Sequence, residues 1–159
     1  METELRRRRT NLLTLGAGVI AFGVWSMLKT YLYMIVDPIP MTFDVPEQFQ
    51  QTALVIAYAM VTAFLLIDLA LRLYIGLSAR AEGLGSKKGK AYIIVTALML
   101  VVNIAAWIVY LFMYDYRDGY EALMDYVVSL VVDFTSIVIL AQLIYNAILV
   151  RRLSRQLEG

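Results

Sequence analysis

The chain contains no cysteine and no histidine. That removes disulfides, thiol nucleophiles, Cys/His zinc sites and Ser-His-Asp triads. Charge is scarce: Asp, Glu, Lys and Arg make up 17% of 159 residues, against roughly 25% in soluble domains. Only three prolines occur, Pro38, Pro40 and Pro46, all in one short stretch. No GxxxxGK[ST] or GxGxxG motif is present, so nucleotide-binding loops of those kinds are excluded. What abounds is apolar: hydrophobic residues reach 61%. A small chain is mostly surface. There is too little polar material to cover that surface in water, so part of the solvent must be lipid.

Four runs are long enough to cross a bilayer core of about 30 Å, which takes about 20 helical residues. They extend from about Leu12 to Val36, Thr52 to Ile75, Ala91 to Tyr114 and Ala122 to Val150. The short apolar alternation of a barrel strand is missing. Arg6 to Arg9 ahead of the first run resemble the start of a signal peptide. The run is too long for that, and no small-x-small cleavage site precedes Lys29, so it reads as a retained helix. The expected fold is all-α: a single domain over residues 1–159, a four-transmembrane-helix bundle with short loops. Asp37–Gln51 reads as an extended connector, Ser78–Lys90 as a flexible basic one, and Asp115–Glu121 as a turn.

Charge fixes an expected orientation. Arg6 to Arg9, then Arg72, Arg80, Lys87, Lys88 and Lys90, then Arg151, Arg152 and Arg155 fall on one side, leaving only Lys29 and Arg117. Asp37, Asp44, Glu47, Asp115, Asp118, Glu121 and Asp125 fall on the other. The positive-inside rule then puts both termini in the cytoplasm, most simply in the plasma membrane. Tyr31, Tyr33, Tyr110, Tyr114, Tyr116, Tyr120 and Tyr126 gather at the acidic face and Tyr74 and Tyr92 at the basic face, as an aromatic belt does. The acids have no EF-hand spacing and read as solvated loop charge. No metal, cofactor or nucleic acid is expected.

Charges within the spans are the candidate functional residues, because burying them in lipid is costly. Lys29 and Asp133 each lie eight residues inside the acidic boundary, about 12 Å along the helix. The first and last helices can be neighbours in a bundle, so a Lys29–Asp133 approach is expected, direct or through water; the alternative is Lys29 snorkelling past Tyr33. Asp68 and Arg72 are four apart, within ion-pair reach on one helix face. On the fourth span, Asp125, Ser129, Asp133 and Ser136 share one face, while Thr135, Gln142 and Asn146 lie roughly opposite. These polar groups, with Asn103 on the third span, read as interhelical hydrogen-bond donors and acceptors. Gly16, Gly18 and Gly23 supply a close-packing surface on the first span.

Asp68 and Asp133 fall in opposite halves, which argues against an aspartyl dyad, and no enzyme is expected. The fourth span lacks the arginine repeat of a voltage-sensing helix. The first carries Lys29 where a small drug exporter would carry an acid. The leading expectation is an accessory, assembly or regulatory subunit acting by helix–helix contact, with a membrane-protein partner or a second copy. The alternative is a small proton- or ion-linked transporter or channel using Asp133, Lys29, Asp68 and Arg72.

Overall fold

The computed structural model describes residues 2–36, 47–86, 89–112 and 119–158, with side chains over 2–35, 49–86, 89–112 and 126–157. Residues 37–46 of the proline-bearing connector, all the loop acids named above, Lys87, Lys88 and Arg117 lie outside the described side chains, whereas residues 47–51, expected to continue that connector, are helical and begin α2. The described residues form four helices and no strand: α1 (Glu2–Val36), α2 (Glu47–Gly83), α3 (Ala91–Phe112) and α4 (Gly119–Glu158). All four are long and apolar enough to cross a membrane.

Three helices outrun the apolar runs that announced them. α1 has 35 residues, about 52 Å at 1.5 Å each, and starts ten residues before Leu12. Its polar turn is a good helix: Glu2 and Glu4 oppose the amino-terminal dipole, and Glu4 meets Arg8 at 3.3 Å. α2 runs eight residues past Ile75 into the stretch expected to be connector. Helical hydrogen bonding needs no apolar side chain, so the helix ends where its backbone is capped. Ser86 N–H donates to the Ala81 carbonyl and Gly85 N–H to the Glu82 carbonyl, each at 3.0 Å. This cap requires a left-handed residue, and Gly85 supplies it with φ of 96°. α4 begins at Gly119, inside the expected turn, and runs on to Glu158.

α1 packs most extensively on α2 and also lies against α4, while α3 lies against α4. The expected adjacency of first and last helices is therefore present. Between α1 and α2 the backbones nearly touch. A methyl at Gly16 would lie 2.7 Å from the Gly76 carbonyl oxygen, and one at Gly76 would lie 2.6 Å from that of Gly16. Neither oxygen can retreat without moving a helix. One heptad on, a methyl at Gly83 would meet the Arg9 carbonyl at 2.9 Å, and one at Gly23 the Arg72 Cδ at 2.8 Å. Gly18 does not share this role: it faces Ile139 of α4, 3.8 Å from where a Cβ would sit. The tight contact uses Gly16 and Gly23 with Gly76 and Gly83.

The buried apolar core comprises Leu12, Val19, Ile75, Ala79, Tyr92, Met99, Leu140, Leu143 and Ala147. All come from the half of their helix nearer the basic end except Val19, which sits at the midpoint of α1. Long apolar side chains point outward along the whole bundle, among them Trp25, Leu32, Val55, Phe64 and Val131 toward the acidic end and Leu77, Ile94, Leu98 and Ile148 toward the basic end. The apolar core thus sits in the basic half of the bundle, and among the described residues the packing thins toward the acidic end.

Gly16→Ala and Gly76→Ala should each lower thermal stability in mild detergent, by an overpacking cost of about 1–3 kcal/mol. Gly18→Ala should leave stability unchanged or raise it, since the methyl has room and alanine is the better helix former by roughly 1 kcal/mol. Melting followed by circular dichroism checks both.

Candidate functional site

Two polar clusters stand out, one toward each end. In the acidic half, α1, α2 and α4 surround a cavity of about 210 Å³ whose polar lining is Ser26, Lys29, Thr30, Arg72, Asp133 and Ser136. Arg72 reaches it from α2. Its Nε donates to Asp68 Oδ2 at 2.8 Å, the pair expected from the four-residue spacing. Its Nη1 donates to Ser136 Oγ of α4 at 3.2 Å. Only 7% of Arg72 is exposed. Gly23 makes this crossing possible, because the Arg72 stem lies against its bare Cα.

Lys29 does not pair directly with Asp133. Its Nζ donates to Ser129 Oγ at 2.7 Å and sits 5.6 Å from the centre of the Tyr33 ring. α4 runs from the acidic end, so Ser129 lies one turn nearer that end than Asp133. The ammonium thus turns toward the acidic end, as snorkelling would have it, while still joining α1 to α4. Asp133 is exposed, and among the described residues nothing donates a hydrogen bond to it. Lys29 and Asp133 share the cavity, which has room for several waters between them.

The remaining candidates separate. Asn103 Nδ2 donates to the Met99 carbonyl of its own helix at 2.8 Å, where a bond across helices was expected. Gln142 is exposed, and its carbonyl accepts from Asn146 Nδ2 at 2.8 Å. Asn146 does join helices: it is buried, and its Oδ1 accepts from Arg8 Nη1 of α1 at 3.4 Å. Arg8 also lies 5.5 Å from the Tyr145 ring centre. Arg8 is thus docked on α4, while Arg6 and Arg7 of the same run are exposed.

The second cluster lies at the basic end and centres on Glu82, which the sequence reading passed over. Glu82 is 6% exposed. Arg151 of α4 grips it with both arms, Nε to Oε1 and Nη2 to Oε2, each at 2.7 Å. Tyr92 of α3 donates to Oε2 at 2.8 Å. Arg151 Nη2 also donates to the Gly89 carbonyl at 3.0 Å, and its guanidinium lies 5.6 Å from the Tyr92 ring centre. Bidentate, charge-assisted bonds of this kind are the strong class of hydrogen bond. Tyr92 is therefore a buried core residue and not part of an interfacial belt. The missed signal was spacing: Glu82 is ten residues from Arg72 and one heptad past Ile75, on the buried side of a helix that was expected to have ended.

No protein-family model, curated protein or solved structure matches the chain. The clusters themselves therefore carry the argument about function.

Removing Glu82 takes away the carboxylate that both the Arg151 guanidinium and the buried Tyr92 hydroxyl bond. Glu82→Ala should cost about 3–5 kcal/mol, the usual penalty for breaking a buried ion pair. Glu82→Leu combined with Arg151→Met should lose less than the sum of the two single changes, because both desolvation penalties vanish together. A double-mutant cycle on thermal unfolding in detergent measures this coupling.

Proposed function

We propose that the chain is an integral protein of the cytoplasmic membrane, with both termini cytoplasmic, and that it serves as an accessory, assembly or regulatory subunit. In this reading the thinly packed acidic half accepts a transmembrane helix of a partner. One observation carries it: Asp133 is exposed within an apolar helix, with no donor to it among the described residues. A carboxylate at that depth is unfavourable in lipid. A partner helix presenting a basic or hydroxyl side chain would satisfy it, and the outward apolar residues around the cavity would be covered by the same contact. The recess is lined by α1, α2 and α4, and the apolar core residues Val19 and Leu140 lie farther along α1 and α4 toward the basic end.

A photo-crosslinking residue at Val132, which lines the recess, should capture a transmembrane partner in native membranes. The same residue at Leu98, exposed on α3, should not. Asp133→Leu should weaken capture from Val132 while thermal stability of the purified chain holds. Equal labelling from both positions would remove the proposal.

The shared placement of Lys29, Arg72 and Asp133 around one cavity favours a second reading, a small proton- or ion-linked transporter or channel. It requires flux by the purified chain in proteoliposomes that Asp133→Asn abolishes.

Orientation is tested separately, and the absence of native cysteine makes the labelling clean. Cysteines introduced at Asp44 and Ser86 should react with an impermeant thiol reagent from opposite sides, Asp44 from outside. Reaction of both from the same side contradicts the topology.

A further inference from the structure

At the basic end, Arg9 of α1, Lys90 ahead of α3, and Arg151 and Arg155 of α4 line a cavity of about 390 Å³. Among the described residues Glu82 is the one acid in its wall. Its two oxygens are already taken by Arg151 and Tyr92. No described acid forms an ion pair with Arg9, Lys90 or Arg155. The Arg9 Nε is buried and has no hydrogen-bond partner. Its guanidinium lies over Gly85, with Nη1 3.7 Å from where a Cβ would sit. Ser86 and Ser154 add hydroxyl groups to the same wall.

A second hollow of about 330 Å³ shares Lys90, Arg151 and Arg155 with the first and continues along Ile93, Ile94 and Ile148. Ile94 and Ile148 are exposed to whatever surrounds the helices. Concentrated positive charge thus adjoins an apolar groove, at the end of the helices where apolar spans give way to charged turns.

We infer that this is a binding site for the phosphate group of an anionic phospholipid. The phosphate sits among Arg9, Lys90 and Arg155, and an acyl chain follows the groove past Ile94 and Ile148. Three properties match that ligand. Guanidinium groups offer forked donors suited to phosphate oxygens. The charge on Glu82 is neutralised within the protein, so it does not repel an anion. The groove continues the basic cavity along the helices, which is how headgroup and chain are joined. The site is assembled from α1, α3 and α4, so a bound lipid would bridge helices that come together only in the folded bundle. It lies at the opposite end from the recess around Asp133 and does not depend on the function proposed for that recess.

Native mass spectrometry of the delipidated chain tests this. The added ligands are phosphatidylglycerol, phosphatidylcholine, and inorganic phosphate as a soluble competitor. One phosphatidylglycerol per chain should bind in preference to phosphatidylcholine. Lys90→Ala with Arg155→Ala should weaken it by about tenfold or more, since each basic residue near the surface contributes substantially to anionic-lipid attraction. Arg6→Ala with Arg7→Ala removes the same charge from exposed positions outside the cavity and should change binding far less. Ile94→Trp, which fills the groove, should also weaken the lipid. Equal effects of the two double variants, or equal binding of the two lipids, would overturn the site. Displacement by inorganic phosphate with no effect of Ile94→Trp would overturn the lipid assignment and leave a site for a soluble phosphate compound. Melting curves of the variants without lipid separate loss of binding from loss of fold.

Discussion

A buried carboxylate has to be answered by the chain that buries it, and Glu82 is answered by two other helices at once. The acid belongs to α2, the guanidinium of Arg151 to α4 and the phenol of Tyr92 to α3. One residue along, Gly83 accepts the backbone of α1 at Arg9. Four helices therefore converge within a turn of one another at the basic end. Lipid gives no hydrophobic drive for helices to associate, so close backbone contact and buried polar bonds must hold the bundle. Both are concentrated here.

The acidic half follows from that concentration. With the helices fixed at one end, the charges farther along are joined by single bonds: Arg72 to Ser136, and Lys29 to Ser129. α3 and α4 stay together through aromatic contacts. Trp107 donates to the Leu130 carbonyl at 3.2 Å, and the Tyr110 and Tyr126 rings lie 5.0 Å apart. The cavity that Asp133 faces lies among α1, α2 and α4, with Lys29 and Arg72 in its wall. A basic half held by a buried polar cluster and an apolar core, and an acidic half in which Asp133 accepts no hydrogen bond among the described residues, make the bundle polarised along its axis.

The sequence made the helix count legible because each span exceeds the bilayer length. The Asp68–Arg72 pair was legible because a four-residue spacing fixes both height and direction on one helix. Counting from helix ends placed Lys29 and Asp133 at one depth, and they do share a cavity. Depth leaves rotation about the axis open, however, so the bond to Ser129 was not foreseen. Asn103 misled because an asparagine can bond the carbonyl one turn back in its own helix. Glu82 and Gly76 were hidden for different reasons. Hydropathy stops at the last apolar residue while a helix stops at its cap, so Glu82 looked like connector. Gly76, a single glycine in a long apolar helix, shows its role only when Gly16 is set against it.

The apolar core of the basic half should be closed to water and the recess around Asp133 open to it. This is tested most directly by single cysteines in the otherwise cysteine-free chain, purified in lipid nanodiscs without partners. Val132 and Ser26 line the recess, whereas Leu140 and Val19 lie in the apolar core eight and seven residues farther along the same helices. Cysteines at Val132 and Ser26 should react with a small hydrophilic thiol reagent, and cysteines at Val19 and Leu140 should stay protected. Reaction at Val19 and Leu140 at rates matching Val132, or protection at all four positions, would contradict the account.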